Sequence, residues 1–162
     1  MSTSRSTATA TMPLDTPIGR LVLESDGDVL IGIWLPTQHR PASGTGADAP
    51  PVLKDVATQL EEYFARERTE FDVPMELDGT AFQKEVWAEL TRIPYGQTIS
   101  YGELARRVGR PKGPRAVGQA NGRNPIPIIV PCHRVLAGNG IGGYGGGLPM
   151  KRTLLATEGV SA

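Results

Sequence analysis

Residues 124–135 read Asn-Pro-Ile-Pro-Ile-Ile-Val-Pro-Cys-His-Arg-Val, and this segment divides the second half of the chain. Its three prolines lack the N–H groups that a helix needs, so the sequence predicts an extended path from Asn124 to Pro131. The apolar side chains between the prolines indicate that the segment is buried. We therefore expect helices before it and irregular structure directly after it.

Two short helices are predicted ahead of this segment, after a first helix that begins at Thr80. Thr80 and Ser100 each start a capping-box pattern, with Gln or Glu three residues later. Gly109 predicts the end of the second helix, and Pro114 suits the first position of the third. The last two helices, joined by the turn 110–113, predict a helix-turn-helix.

A glycine-rich loop and a final helix are predicted after the segment. Seven glycines lie between residues 136 and 147, so this stretch is expected to be a loop. Residues 149–158 predict a helix that begins with a proline and ends at Gly159.

The first half of the chain predicts a small α/β lobe. Alternating and periodic apolar residues indicate a hairpin of strands 20–24 and 29–35, a helix over 52–66 and an edge strand over 71–77. Residues 36–51 are rich in Pro, Gly, Ala, Ser and Thr, which predicts a mobile loop. The predicted fold class is thus an α/β N-terminal lobe, a small antiparallel sheet plus a helix, followed by a mostly α C-terminal domain that contains a helix-turn-helix. We expect a disordered leader over residues 1–11, the lobe over 12–78 and the C-terminal domain over 79–162.

Charge is distributed unevenly over the 162 residues, although the net charge is zero. The first 80 residues hold 6 Lys and Arg against 13 Asp and Glu, and the remaining residues hold 11 against 4. This asymmetry fits a polyanion bound to the second half, and it fits equally well two solvated surfaces that attract each other. No apolar run approaches the roughly 20 residues that span a bilayer, so no membrane partner is expected.

The single cysteine, Cys132, is a candidate nucleophile. One cysteine excludes an intramolecular disulfide, and with only two histidines it excludes a Cys/His zinc site, so we expect no metal and a cytoplasmic location. The usual interpretation of a lone cysteine is a small buried apolar residue. The basic surroundings predict instead a lowered thiol pKa. His133 can act on Cys132 only if the chain bends or a water intervenes, and Glu158 is the one carboxylate downstream of Glu103 that could orient it.

Small side chains mark the helix that begins at Pro114. Ala116, Gly118 and Ala120 permit tight packing on a neighbouring helix, or close approach to a narrow surface. A helix that reads the major groove of DNA carries longer polar side chains, so the minor groove would fit this helix better.

Six motifs follow one another in the second half: Ile93-Pro-Tyr-Gly-Gln-Thr-Ile-Ser-Tyr-Gly-Glu-Leu-Ala105, Arg115-Ala-Val-Gly118, Asn124-Pro, Pro131-Cys-His-Arg-Val135, Gly143-Tyr144 and Glu158-Gly159. In content and order they resemble the O6-alkylguanine-DNA alkyltransferase family. The resemblance covers about residues 80–159, and its Pro-Cys-His-Arg-Val string with Asn-Pro upstream is highly specific.

The resemblance implies a role for each matching residue in catalysis. Cys132 would accept the alkyl group, with His133 as its base through a bridging water and Glu158 orienting His133. Asn124 would hold the active-site turn, and Tyr101 would help to extrude the nucleotide and donate a hydrogen bond to the leaving guanine.

The resemblance also implies the contacts with DNA and with the lesion. Arg115 would fill the gap in the base stack, and the other DNA-binding residues would be Ala116, Gly118, Ala120, Asn121 and Arg123. The carbonyls of Cys132 and Val135 would accept from the guanine amino group, and Tyr144 and Gly145 would line the pocket. Gly145 departs from relatives that often carry a hydroxyl residue there.

The implied function is DNA repair by irreversible, single-turnover transfer of an alkyl group from O6-alkylguanine, and from O4-alkylthymine, to Cys132, after base flipping from the minor groove. The resemblance implies no cofactor, double-stranded DNA carrying alkylated guanine as partner and a monomer in solution, and it leaves cooperative binding open. A lesion-binding module would lack the acceptor cysteine. A Cys-His hydrolase would not explain the basic helices, and an alkylation-responsive regulator would need a further cysteine-rich domain.

Overall fold

The structure is a computed structural model that describes residues 9–42, 46–110, 113–138 and 140–161. Contacts within the chain divide it into two units, Met1–Leu77 and Asp78–Ala162. The domain boundaries drawn from the sequence stay a prediction. None of the described helices is long and apolar enough to cross a membrane.

The N-terminal unit contains a three-stranded antiparallel sheet in the order β1-β2-β3. Its strands are β1 (Ala10–Thr16), β2 (Gly19–Ser25) and β3 (Leu30–Trp34). Strands β2 and β3 confirm the predicted hairpin. Strand β1 is a correction to the expected leader, because backbone pairing with β2 recruits Ala10 and Thr11 into the sheet. Residues 1–8 of that leader lie outside the described residues.

Helix α1 (Pro51–Phe64) packs on this sheet. Leu53, Val56, Leu60 and Tyr63 are fully buried, as their spacing of three and four residues predicts. The loop expected over 36–51 begins with one 3-10 turn, and its residues 43–45 lie outside the described part of the chain.

The edge strand expected over 71–77 is wrong. A single bridge joins Met75 to Leu30, at the start of β3. The Leu30 N–H donates to the Pro74 carbonyl and the Glu76 N–H donates to the Leu30 carbonyl, both at 2.9 Å. Pro74 has no N–H with which to extend the ladder, so the pairing stops there.

Helices and one short parallel ladder form the second unit. They are α2 (Ala81–Leu90), β4 (Ile99–Ser100), α3 (Tyr101–Arg107), α4 (Pro114–Gly122), β5 (Val135–Leu136) and α5 (Leu148–Thr157). The Trp87 indole N–H donates to the Ala120 carbonyl at 2.8 Å and so ties α2 to α4. Pairing of Ile99 with Val135 brings the start of α3 beside the end of the Cys132 motif. The predicted class, an α/β lobe followed by a mostly helical domain, is confirmed.

Local capping signals place the helices largely as expected. The Gln83 N–H donates to Thr80 Oγ1 at 3.1 Å, and the Gln83 side chain accepts from the Thr80 N–H at 2.9 Å. Ser100 caps α3 in the same way, but Glu103 does not reach back, because it binds the guanidinium groups of Arg106 and Arg107. Gly109 follows α3 with a φ of 74°, a conformation that glycine adopts without strain.

The segment 124–131 is not extended, which corrects the first expectation. The Val130 N–H donates to the Ile126 carbonyl at 3.0 Å and closes a tight turn. Ile128 has a φ of 77°, a strained value for a β-branched residue, and its side chain is fully buried. The prolines exclude a helix as predicted. The segment forms a turn and not an extended strand, because the turn buries the side chains of Ile126, Ile128 and Val130.

Replacing Thr80 with alanine should lower the free energy of unfolding of the second unit by about 1 kcal/mol, because the capping box is lost. Denaturant unfolding of the wild type and the variant measures this difference. Thr153→Ala is the matched control, because Thr153 is an exposed residue inside α5 whose hydroxyl donates to the Pro149 carbonyl of its own helix. An equal loss in both variants would contradict the capping role.

Candidate active site

A tight turn held by Asn124 presents the Cys132 motif. Asn124 Nδ2 donates to the Val130 carbonyl at 2.7 Å, and Asn124 Oδ1 accepts from the Ile126 N–H at 2.9 Å. The Asn124 side chain thus bridges the two ends of the turn, and these two hydrogen bonds help to hold the strained backbone of Ile128 between them. The chain then enters a 3-10 turn over Cys132–Arg134, which supplies the bend that the sequence analysis required between Cys132 and His133.

The carboxylate of Glu158 is the centre of a buried cluster at the end of α5. His133 Nε2 lies 2.6 Å from Glu158 Oε2, as the sequence analysis expected. Arg134 makes a two-point contact, with Nε 2.8 Å from Oε1 and Nη2 3.0 Å from Oε2. The Gly96 N–H donates to Oε1 at 3.2 Å. All three side chains are buried, so the ion pair and the hydrogen bonds have little competition from water.

Arg134 has a structural role that sequence reasoning missed. Its Nη1 donates to the Ile93 carbonyl at 2.6 Å, and its guanidinium lies 5.8 Å from the centre of the Tyr95 ring. The Tyr95 hydroxyl in turn donates to the Thr157 carbonyl at 3.0 Å. The sequence analysis included Arg134 in its count of 11 basic residues in the second half. The one signal in the sequence was its position next to His133, which is consistent with both side chains binding Glu158.

His133 is neutral and has one ring nitrogen available as a base. Burial lowers the pKa of His133, and the positive charges of Arg134 and Lys151 lower it further, against the opposing effect of Glu158. A neutral ring that donates from Nε2 to the carboxylate has its lone pair on Nδ1. Nδ1 is buried and has no hydrogen-bond partner among the described residues. The ring can therefore accept a proton at that atom.

The thiol of Cys132 is less acidic than the sequence predicts. Burial raises the pKa of Cys132 to about 11, and Asn124 and the charge of Lys151 offset only part of that rise. The side chain is 6% exposed, so the missing hydration of a thiolate outweighs the basic surroundings. The predicted lowering of the thiol pKa is wrong for the protein alone, and the thiol holds its proton at neutral pH.

Lys151 is a buried cation, not a surface charge. Its Nζ donates to the Val135 carbonyl at 2.7 Å and to the Gly143 carbonyl at 2.9 Å. Burial lowers the pKa of Lys151 to about 8, and the nearby Cys132 opposes this. The side chain ties the glycine-rich loop to β5 and brings positive charge close to the thiol.

Two tyrosines belong to the same site. Tyr101 is the first residue of α3, and its ring lies close to Gly118 and Gly142, where an added Cβ would come within 3.7 Å and 3.2 Å. Burial and the neighbouring Cys132 raise the pKa of Tyr101, whereas Asn121 and the Gly143 backbone lower it. The Tyr144 hydroxyl is buried with no hydrogen-bond partner in the described ranges, and burial raises the pKa of Tyr144. Gly145 is exposed in the adjoining loop.

Helix α4 divides the expected DNA-binding residues between two faces. Arg115, Ala116 and Arg123 are exposed, and Gln119, which sequence reasoning missed, lies with them. Ala120 and Asn121 are 3% and 5% exposed, so their side chains face the interior. Ala120 adjoins α2, and Asn121 Nδ2 donates to the Cys132 carbonyl at 3.2 Å, so the expected contact of these two residues with a groove stays a prediction.

The two carbonyls expected to bind the guanine amino group already accept hydrogen bonds. The Cys132 carbonyl accepts from Asn121 and from the Val135 N–H, and the Val135 carbonyl accepts from Lys151. Their contact with a base therefore stays a prediction. Within the described ranges, no group of three or more His, Cys, Asp or Glu side chains could hold a metal ion.

Comparisons of the sequence with protein families and with curated proteins all match methyltransferases that act on methylated DNA. The family described as 6-O-methylguanine DNA methyltransferase, DNA binding domain, matches residues 81–160, and the ribonuclease-like domain of the same enzyme matches residues 10–77. A Mycolicibacterium paratuberculosis protein named methylated-DNA–protein-cysteine methyltransferase is 49% identical over 147 residues, which cover 90% of this chain and 89% of that protein.

Solved structures agree with these matches. The crystal structure of Mycobacterium tuberculosis O6-methylguanine methyltransferase superposes with a TM-score of 0.84 at 46% identity and covers 93% of each chain. A Mycobacterium tuberculosis relative crystallised in complex with DNA also superposes with a TM-score of 0.84, at 47% identity over 92% of each chain. Because both family matches and these relatives span most of its length, the chain belongs to the methylated-DNA–protein-cysteine methyltransferase family.

Proposed function

We propose that this protein repairs DNA by moving the alkyl group of O6-alkylguanine onto the sulfur of Cys132. The observation that carries the proposal is the open Nδ1 of a neutral His133, next in the chain to a protonated Cys132 and held from its other nitrogen by Glu158. In the reaction the Sγ–carbon bond forms while the carbon–O6 bond breaks. The thiol proton goes to His133 and from there to solvent, and the guanine leaves as an anion that takes up one proton from solvent, so the thiol proton is in effect exchanged for the alkyl group.

Proton removal from the thiol is coupled to attack on the lesion. Because the pKa of Cys132 is about 11, a standing thiolate is scarce at neutral pH. His133 takes the proton through a bridging water, and the resulting imidazolium is stabilised by the carboxylate 2.6 Å from Nε2. A soft sulfur nucleophile suits in-line displacement at a saturated carbon.

Tyr101 is the proposed donor to the departing guanine. Its ring lies close to Gly118 of α4 and Gly142 of the glycine-rich loop, and the effect of Cys132 on the pKa of Tyr101 supports this role. A hydrogen bond from this hydroxyl to the leaving base stabilises the charge that develops there. The product is a thioether that no residue of this site can cleave, so each molecule reacts once.

The exposed face of α4 is the proposed DNA surface. Arg115 at its start and Arg123 at its end are exposed, and α3 adds Arg106 and Arg107. We propose that α3 and α4 act as a helix-turn-helix that lies in the minor groove, with Arg115 filling the space of the flipped nucleotide. Support comes from the related Mycobacterium tuberculosis protein that was crystallised with DNA. O4-alkylthymine as a second substrate, the monomeric state and the cytoplasmic location stay predictions.

Exposure to duplex DNA that carries one O6-methylguanine should add one methyl mass to the peptide that contains Cys132. The reaction should stop at one equivalent, because the thioether is stable. Mass spectrometry of the digested protein measures both the site and the stoichiometry, with Cys132→Ala as the unreactive control. More than one methyl transferred per protein, or transfer that persists in Cys132→Ala, would exclude the proposal.

The pH profile of transfer should identify the base. The pKa of His133 is lowered from 6.5, so the wild-type rate should stay level from pH 7, where Lys151 keeps most of its charge, to below 6.5, and fall only where His133 gains a proton. In His133→Ala the rate at neutral pH should fall by about 10²–10⁴-fold, the usual contribution of a general base. It should then climb tenfold per pH unit towards the thiol pKa of about 11.

The matched control for the base is His39→Ala, which removes the exposed histidine of the N-terminal unit. It should leave both the rate and the profile unchanged. A level profile near the wild-type rate in His133→Ala would refute the role of His133.

Arg115→Ala should slow repair of duplex DNA more than reaction with free O6-alkylguanine base, because only the duplex needs a side chain in the base stack. Single-turnover rates with both substrates measure the difference. Arg92→Ala removes an exposed arginine just after α2, outside α3 and α4, and should change neither rate. Equal losses on the two substrates in Arg115→Ala would count against the stacking role.

A further inference from the structure

Asn121 connects the helix that carries the exposed arginines to the reactive cysteine. It is the penultimate residue of α4 and is 5% exposed, on the face opposite to Arg115. Its Nδ2 donates to the Cys132 carbonyl at 3.2 Å, across 11 residues of sequence. The active-site turn and α4 therefore share a buried hydrogen bond that the proposed chemistry does not use.

The same carboxamide also acts on Tyr101. The Asn121 side chain is one of two hydrogen-bonding groups that lower the pKa of Tyr101 against the effect of burial, the other being the Gly143 backbone. Gly118, one turn earlier on α4, lies against the Tyr101 ring, where an added Cβ would come within 3.7 Å of it. Helix α4 thus lies against both groups of the proposed reaction, contacting the residue of the nucleophile through the Cys132 carbonyl and the proposed hydrogen-bond donor through the Tyr101 ring.

The Asn121 amide is costly to the fold. Asn121 Oδ1 is buried and has no hydrogen-bond partner in the described part of the chain. A buried acceptor without a partner destabilises the folded state, and an apolar side chain of similar size would avoid that. An apolar side chain, however, could not donate the hydrogen bond that Asn121 Nδ2 makes to the Cys132 carbonyl.

We propose that Asn121 is a positioning residue for alkyl transfer, whose amide holds the Cys132 backbone and the Tyr101 hydroxyl in one arrangement on the inner face of the helix that meets DNA. The inference rests on the proposed function, because it needs Cys132 as acceptor and Tyr101 as donor. No bond to Asn121 forms or breaks in the reaction. Its effect is on the maximal rate of transfer and not on the affinity for DNA.

The experiment measures single-turnover transfer from methylated duplex DNA over a range of DNA concentrations. Asn121→Leu removes the amide at similar volume. The maximal rate should fall roughly tenfold or more, about the effect of one lost hydrogen bond to a reacting group, while the half-saturating DNA concentration stays the same. Asn121→Asp keeps the shape but loses the N–H donors, so it provides the same test if Asn121→Leu fails to fold.

A double-mutant cycle with Tyr101→Phe separates positioning from general loss of structure. If Asn121 acts through the Tyr101 hydroxyl, Asn121→Leu costs less when that hydroxyl is already absent. Gln97→Leu is the matched control, since it makes the same change at an exposed amide outside the site and should leave the kinetics unchanged.

Three results would overturn the inference. They are an unchanged maximal rate, a loss that lies only in the half-saturating DNA concentration, and losses that multiply independently across the cycle. If the wild type itself transfers no methyl group to Cys132, the proposed function fails. If the wild type transfers and the Asn121 variants match it, only the role of Asn121 fails.

Discussion

The buried carboxylate of Glu158 is the interaction on which the rest of the site depends. It pairs with Arg134 at two points, accepts from the Gly96 N–H and lies 2.6 Å from the His133 ring. These contacts join the end of α5, the loop before β4 and the 3-10 turn at Cys132. Taking away one partner of a buried ion pair costs far more than the pair contributes, because an uncompensated charge stays behind. The Glu158 carboxylate therefore fixes both the orientation of the His133 ring and the nitrogen of that ring that carries the proton.

Burial and charge act in opposite directions at Cys132, and burial is the stronger. The thiol lies among basic groups, yet its pKa is raised to about 11. A thiol that keeps its proton until a base removes it is a weak nucleophile towards chance electrophiles. The proposed chemistry follows from this, since the reactive sulfur forms only when the lesion and the His133 base are both in place. Lys151, with a pKa of about 8, keeps most of its charge at neutral pH and favours that step.

Helix α4 shows how one short helix can serve two surfaces. Its outer face exposes Arg115, Ala116, Gln119 and Arg123. Its inner face has small residues against Tyr101 and α2, together with the Asn121 amide on the Cys132 carbonyl. Both interpretations of its small side chains, tight packing and close approach to a groove, thus apply to different faces of the same helix. The exposed arginine surface and the hydrogen bond to the Cys132 backbone thus belong to the same helix.

Local rules in the sequence were enough to locate the helices of the second unit and the chemical groups of the site. Caps such as Thr80 and Ser100 act over three residues, and Gly109 and Pro114 act through their own backbone angles, so no distant contact is needed to foresee them. The motif around Cys132 identified the family for the same reason, because it is contiguous. Tertiary structure alone decided the turn at 124–131, the burial of Asn121, Arg134 and Lys151, and the raised pKa of Cys132. The turn is closed by contacts among residues 124–130, which the sequence pattern did not reveal. The other features depend on groups brought together from separate parts of the chain, as His133 and Glu158 are across 25 residues, and the cost of removing water from a charge exists only once those groups have packed.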